Sequence, residues 1–458
     1  MEDTSNFVVI SNRLPVSRDE EEGRWETSPG GLVSALVPIL REREGVWIGW
    51  TGVPDFAPPP FTHDDMRLHP VPLSQQEMEA YYLGFCNNTL WPLYHNAIRT
   101  PQYHRRWWHP YRETNERFAE AAGRVLAPSG VAWVHDYQLQ LVPRYLREWR
   151  PDATIGFFLH IPFPPVELFA YLPWRESVLE GLLGADVLAF QTRQSVSNFR
   201  NAALQYSAAR PDGDDLKYEG RRVRLQWAPI SIDAENFEST ARSRAVADRA
   251  ARLREQFPPV RRILLGVDRL DYTKGIDHRL RAIHTFHSRH PKEAAETVLL
   301  QLAVPSREEL IQYAEQRDRV ERLVGQINGE FGRPGYTPVV YMYRQLEFEE
   351  LVAAYSVADV MLVTPLCDGM NLVAKEYVAS RVSDDGLLVL SEFAGAASEL
   401  KEAVLINPLN LDQLAEALRR AVQTPPEEAA TRMQALRATV QRYDVYRWSR
   451  KCIEALEN

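Results

Sequence analysis

Residues 360–377, VMLVTPLCDGMNLVAKEY, are the part of the chain from which its fold is read. The four apolar residues Val360–Val363, with no polar alternation, predict a buried parallel strand. Asp368 and Gly369 then make a tight turn, and a helix-forming segment carrying Glu376 follows two residues later. The first N–H groups of a helix lack partners within it and point at whatever lies ahead, so strand, turn and helix together form an anion site. Gly369 lets backbone approach a ligand where a side chain would obstruct it. Asp368 can accept hydrogen bonds from sugar hydroxyls, and Glu376, in the second turn, from a ribose. The chemistry suggested is a sugar nucleotide lying across a helix start.

The same pattern recurs along the chain. Short β-rich runs at residues 7–10, 47–50, 131–134, 155–160, 187–190 and 223–227 alternate with helical segments. A second series lies at 263–267, 298–304, 339–342, 360–363, 387–390 and 404–406. Alternating strands and helices call for parallel sheets covered on both faces. Two series predict an α/β protein of two doubly wound, Rossmann-like domains facing a cleft. The boundaries expected are 1–230 for the first domain and 231–442 for the second. Residues 443–458 read as an amphipathic helix packing back on the first domain.

Composition bounds the function. At 458 residues the chain is too long for one ordinary core. A net charge of −9 argues against a surface built for polyanions, so nucleic acid is not the expected partner. Three scattered cysteines, Cys86, Cys367 and Cys452, form no CxxC pair and fit a reducing compartment. The N-terminus lacks the pattern of a secretory leader, and no apolar run is long enough to span a bilayer. The expectation is a cytoplasmic protein.

Ligands of open α/β sheets sit outside the carboxyl ends of the strands. In the second series VDRLDYTKG, VPSREE and DGMNLVAKE all follow strands, so their charges converge on one rim. Arg269 and Lys274, five residues apart, would neutralise a diphosphate and hold its charge as it departs; the alternative is a surface pair balanced by Asp268 and Asp271. Arg13 ends the first strand, and after a polar loop Gly30 and Gly31 open a helix, a pattern that also serves a plain turn. Tyr82 and Trp91 can stack on sugars or simply fill the core. His135, Asp136 and His160 end strands of the first domain, where a buried histidine satisfied by backbone is the commoner outcome. Arg307 reaches an anionic acceptor group or caps a helix. His95, His104 and His109 match no metal spacing, and no dinucleotide, nucleotide-triphosphatase or serine-hydrolase motif occurs.

Taken in order, SNRLPV at Ser11, GGL at Gly30, YYLGFCNNTLWP at Tyr81, WVHDYQL at Trp133, FFLHIPFPP at Phe157, VDRLDYTKGI at Val267 and TPLCDGMNLVAKEYV at Thr364 resemble the trehalose-6-phosphate synthase family. FAGAASEL at Phe393 is similar as well. That family comprises retaining glycosyltransferases of the two-Rossmann-domain GT-B fold, and the likeness spans essentially the whole chain. It implies transfer of glucose from UDP-glucose to glucose 6-phosphate, with no metal and no cofactor, the nucleotide sugar being a substrate.

By the same resemblance Arg269 and Lys274 grip the donor diphosphate, with Gly369, Met370, Asn371, Leu372 and Val373 around it. Backbone N–H groups of Asn371 and Leu372 assist, and Glu376 holds the ribose. Asp368 and His160 bind donor glucose hydroxyls, and Gly30 and Gly31 close over the donor. Arg13, Tyr82 and Arg307 take the acceptor phosphate, Trp91 lines that pocket and Asp136 contacts the acceptor sugar. The catalytic set is then Arg269, Lys274, Asp136 and His160.

One position departs from the family pattern: Cys367 stands where arginine precedes the aspartate, and reads most simply as a small buried filler. No DxDxT-type phosphatase segment follows the transferase. UDP, ADP and GDP all remain open as the nucleotide, and family members often form dimers or tetramers. The alternatives are a glucosylglycerol-phosphate synthase, a validamycin-type pseudo-glycosyltransferase, or a non-catalytic sugar-phosphate sensor.

Overall fold

Apolar β-branched runs bounded by glycine, proline and polar residues become the buried strands of two sheets. The computed structural model describes residues 4–18, 23–28, 31–257, 260 and 262–457. Gly30 and the acidic stretch 19–22 lie outside the described residues. The chain divides into two compact units, residues 1–230 with 445–458, and residues 231–444.

The first unit holds β1 (Ser5–Arg13), β2 (Val16–Arg18), β3 (Trp25–Thr27), β4 (Val46–Trp50), β5 (Phe61–His63), β6 (Met66–Pro70), β7 (Leu126–His135), β8 (Thr154–Leu159), β9 (Val187–Phe190), β10 (Arg210–Asp212), β11 (Asp215–Tyr218) and β12 (Arg221–Trp227). Its large sheet has the order β10-β11-β12-β9-β8-β7-β1-β4-β6-β5. The seven strands from β12 to β6 pair in parallel, and antiparallel hairpins close both edges. Later strands add to β1 on both sides, β4 on one and β7 on the other, so the strand order reverses there. The C-terminal helix Val445–Glu457 belongs to this unit. Its Trp448 packs on Trp133 and Phe158 and donates from Nε1 to the carbonyl of Ala228 at 3.2 Å.

The second unit holds β13 (Arg262–Arg269), β14 (Thr297–Val304), β15 (Val339–Tyr343), β16 (Val360–Val363), β17 (Leu387–Ser391) and β18 (Val404–Ile406). All pair in parallel, in the order β15-β14-β13-β16-β17-β18. Counted within the unit this is 3-2-1-4-5-6, the doubly wound order whose ligand crevice lies where the order reverses. That point is between β13 and β16, the strands that carry VDRLDYTKG and DGMNLVAKE. The core beneath it packs Leu264, Leu280, Ile283, Leu362 and Val389, each at most 1% exposed.

Sequence reading found every strand of the second unit, the three-residue β18 included, but in the first it missed the strands of the edge hairpins, β5, β6, β10 and β11, and the pair β2 and β3. The hairpin strands β2, β3, β5 and β10 are three residues each, too brief to show a period. Residues 78–90, MEAYYLGFCNNTL, form a π-helix, which 3.6-residue periodicity does not reveal.

Candidate active site

In the second unit, β13 ends at Arg269 and a short 3₁₀ turn, Tyr272–Lys274, follows. Asp271 caps that turn, its Oδ1 accepting from the Thr273 N–H and hydroxyl, both at 2.9 Å. Gly275 then takes φ +65° to enter the helix Ile276–Arg289. A β-carbon there would overlap the carbonyl oxygen of Thr364, so glycine alone permits this turn to lie against the end of β16. The Leu366 N–H donates to the Thr273 carbonyl at 2.7 Å, tying the two loops.

Lys274 Nζ therefore reaches Asp368 Oδ2 at 2.5 Å, with both side chains 12–13% exposed. Asn371 Nδ2 donates to the same oxygen at 3.1 Å, while Asn371 Oδ1 caps the helix Leu372–Ser380 by accepting from the Ala374 N–H. Asn371 holds φ +76°, a conformation that costs energy outside glycine and persists only when its surroundings fix it. Glu376, half-buried in the second turn, accepts from the Tyr355 hydroxyl at 2.8 Å. Burial raises its pKa, and the tyrosine opposes the rise. The predicted donor residues Arg269, Lys274, Asp368, Gly369, Met370, Asn371, Leu372, Val373 and Glu376 thus share one rim.

Beneath the rim lies a buried network that charge patterning alone did not expose. Arg279, 1% exposed, donates from Nη1 to Asp268 Oδ2 at 2.6 Å and Gln301 Oε1 at 2.8 Å, and from Nε to Thr364 Oγ1 at 3.0 Å. One guanidinium therefore ties β13 and β14 to the residue that follows β16. Lys375, in the same helix as Glu376, pairs with Glu399 at 2.8 Å. Burial lowers the lysine pKa and the carboxylate resists that. The FAGA loop braces the turn at Asp368 through backbone bonds: the Asp368 N–H donates to the Phe393 carbonyl at 3.2 Å and the Ala396 N–H to the Met370 carbonyl at 2.8 Å.

Arg307 follows β14 in this unit, three residues past the strand end. Its φ is +49°, its side chain is 8% exposed, and Nη1 lies 2.5 Å from the Tyr313 hydroxyl and 3.6 Å from Asp271 Oδ2. Burial works against ionisation of Asp271, but Arg307 foremost, then Arg269, the Thr273 N–H and Lys274, hold it below the ordinary carboxylate range.

In the first unit Arg13 ends β1 with its guanidinium 5.0 Å from the Trp50 ring centroid. Gly52 makes room for it, since a β-carbon there would overlap the guanidinium. Half-buried Tyr82 stands on the π-helix, its ring 6.3 Å from Trp50. Trp91, at the end of that helix, is buried against His95 and Tyr137. Trp50 was not singled out from sequence; its place at the end of β4, beside the terminal arginine of β1, was the available signal. Gly31 opens the helix Gly31–Glu42.

Asp136, just past β7, has φ +75°. Its Oδ1 accepts from the His160 N–H at 3.2 Å, and its own N–H donates to the Phe158 carbonyl at 2.8 Å. The expected backbone partner for the histidines is not what the structure shows. His135 Nδ1 and His160 Nε2 lie 3.2 Å apart, so these rings share one hydrogen bond. They meet because β7 and β8 are adjacent and His160 falls one residue past the end of β8. Burial depresses both imidazoles, His160 to about 3 and His135 well below its ordinary value. Three of the residues predicted for the site, Asp136, Arg307 and Asn371, thus carry left-handed backbone. Such strain gathers where function needs a fixed geometry.

Among the described residues no group of three histidine, cysteine or acidic side chains is placed to hold a metal, and no helix is long and apolar enough to cross a membrane.

The sequence pattern of glycosyltransferase family 20 matches residues 5–458. The trehalose-6-phosphate synthase of Mycolicibacterium smegmatis is 50% identical over 465 residues, covering 99% of this chain and 92% of its own. An E. coli structure bound with UDP-2-fluoro glucose aligns at a TM-score of 0.92 and 32% identity, with 99% of each chain covered. A UDP-forming α,α-trehalose-phosphate synthase from Burkholderia xenovorans, in complex with glucose-6-phosphate, aligns at 0.90 and 32% identity over 99% of this chain and 100% of that one.

Proposed function

The chain belongs to glycosyltransferase family 20, and from that premise we propose how its residues divide the work of a trehalose-6-phosphate synthase. The fold is GT-B, and the reaction is glucosyl transfer from UDP-glucose to glucose 6-phosphate, giving trehalose 6-phosphate and UDP.

The second unit takes the donor. Arg269 and Lys274 bind its diphosphate, assisted by backbone N–H groups at Asn371 and Leu372, and Glu376 takes the ribose. Asp368 and His160 contact donor glucose hydroxyls. Arg13 and Tyr82 of the first unit, with Arg307 of the second, take the acceptor phosphate, and Asp136 the acceptor sugar. Gly30, Gly31 and Trp91 complete the assignment. The observation that carries this reading is the Lys274–Asp368 pair, which sets a cation and a sugar-binding acid side by side at the point where the strand order reverses.

The step runs with retention. The bond from the anomeric carbon to the diphosphate oxygen breaks, and the acceptor hydroxyl oxygen bonds to that carbon from the face the diphosphate leaves. The hydroxyl proton passes to the departing phosphate. The chain then supplies position and charge: Arg269 and Lys274 face the oxygens where negative charge grows. Neither a covalent protein intermediate nor a metal enters this scheme. We place the enzyme in the cytoplasm on its cysteine usage, and a homo-oligomer is compatible with the reading.

UDP release tests it. We expect release from UDP-glucose with glucose 6-phosphate and none with glycerol 3-phosphate. Release with glycerol 3-phosphate alone would shift the reading to a glucosylglycerol-phosphate synthase. Release with neither would shift it to a sensor or a pseudo-glycosyltransferase. ADP- and GDP-glucose in the same assay settle the nucleotide.

A further inference from the structure

Asp271 stands at the centre of a buried cluster that the assignment above leaves without a task. It is 0% exposed, and its two oxygens face opposite duties. Oδ1 fixes the turn that ends at Lys274. Oδ2 accepts from the Tyr313 hydroxyl at 3.1 Å and lies 3.6 Å from Arg307 Nη1. Tyr313, 2% exposed, also stands 2.5 Å from that Nη1, so its hydroxyl bridges arginine and carboxylate. The phenol ring packs edge-on against Tyr272, the first residue of the same turn. Arg307 itself keeps a left-handed backbone, which needs surroundings that hold it.

We propose that Asp271 and Tyr313 are positioning residues: they seat Arg307 for the acceptor phosphate and tie that seat to the loop carrying Arg269 and Lys274. The proposal rests on reading Arg307 as an acceptor-phosphate group. An unheld guanidinium on a loop would sample many orientations, and ordering it on binding would weaken the grip on phosphate. A buried carboxylate with a bridging phenol removes that freedom in advance. Because the same carboxylate shapes the diphosphate turn, donor and acceptor groups hang from one fixed point.

The test is the ratio of kcat/KM for glucose 6-phosphate to kcat/KM for unphosphorylated glucose. A purely structural role lowers both values together and leaves the ratio unchanged. In Tyr313→Phe a hydrogen bond to a charged group is lost, and we expect the ratio to fall roughly tenfold. The KM for UDP-glucose should change less than about twofold, since the turn at Lys274 keeps Asp271 Oδ1. An unchanged ratio would overturn the proposal. Asp271→Asn should raise the KM of both substrates; a rise for the donor alone would also overturn it. Arg307→Ala separates the two layers. If it raises the KM for glucose 6-phosphate while Tyr313→Phe leaves the ratio intact, only the positioning roles fall. If Arg307→Ala leaves that KM unchanged, the assignment of Arg307 falls and the proposal with it.

Discussion

Gly395 lies so close to Gly369 that a β-carbon on Gly395 would overlap the carbonyl oxygen of Gly369. The turn at Asp368 and Gly369, proposed to bind the donor, and the FAGA loop thus meet backbone to backbone, and Gly395 keeps them in contact. In Gly395→Ala the methyl must push Gly369 and Asp368 away from the Lys274 ammonium. Overpacking of this kind costs about 1–3 kcal/mol. We expect UDP to bind at least about tenfold more weakly by calorimetry, with the protein still folded by circular dichroism. Wild-type UDP affinity would show that the FAGA loop does not set the donor turn.

The diphosphate grip makes the next claim. Arg269→Ala and Lys274→Ala should each lower kcat at least about tenfold, equivalent to ~1.4 kcal/mol of barrier. Lys274→Ala also leaves the Asp368 carboxylate with one donor fewer. Near-normal turnover in both variants, measured at saturating substrates, would end the proposed role in stabilising the leaving group.

Glu376 gives a prediction of a different shape. Its partner Tyr355 is fully buried, and the hydroxyl holds the carboxylate proposed to take the ribose. Tyr355→Phe removes one hydrogen bond and leaves the packing. The KM for UDP-glucose should rise about three- to tenfold with kcat little changed, the pattern of lost uniform binding. A fall in kcat at constant KM would place Tyr355 elsewhere in the reaction.

The fold was legible because the central strands are unbroken apolar runs, and such runs become central parallel strands in few other ways. The clustering of the proposed donor residues was legible for a related reason. They follow strand ends in sequence, and strand ends are where open sheets bind. What sequence could not show depends on contacts between residues far apart in the chain. Tyr313 meets Asp271 across 42 residues, and Arg279 meets Thr364 across 85. Lys375 and Arg279 were not singled out from sequence, and the structure buries each against one carboxylate. The histidines were legible as strand-end residues, but their mutual bond required knowing that β7 and β8 are neighbours.

Burial of these two imidazoles makes stability depend on pH. His135 and His160 both have folded-state pKa values below the ordinary imidazole value of about 6.5, His160 at about 3. Between those values the unfolded chain binds more protons than the folded one. Stability is therefore full above about pH 6.5 and falls as pH drops toward 3. His287, held at about 4 by burial and by His284, acts in the same direction. Urea unfolding at a series of pH values should show this loss, and His160→Gln should flatten the slope below pH 6.5. An unchanged slope would mean that His160 titrates normally in the folded protein.

Cys367 replaces the arginine of the family pattern immediately before Asp368. The side chain is buried, and its thiol is pushed up to about 12, first by burial, then by the Asp368 charge, with Lys274 opposing. A thiol at that value carries almost no thiolate at neutral pH, and the thiolate is the reactive form. Maleimide at pH 7.5 should accordingly leave activity intact over minutes, although the residue adjoins Asp368, the acid proposed to bind the donor. Cys367→Ser exchanges the thiol for a smaller hydroxyl at the same atom, so kcat/KM for UDP-glucose should stay within about threefold of wild type. Rapid inactivation by maleimide, protected by UDP, would show a thiol exposed to the donor and would make this position a determinant of donor binding.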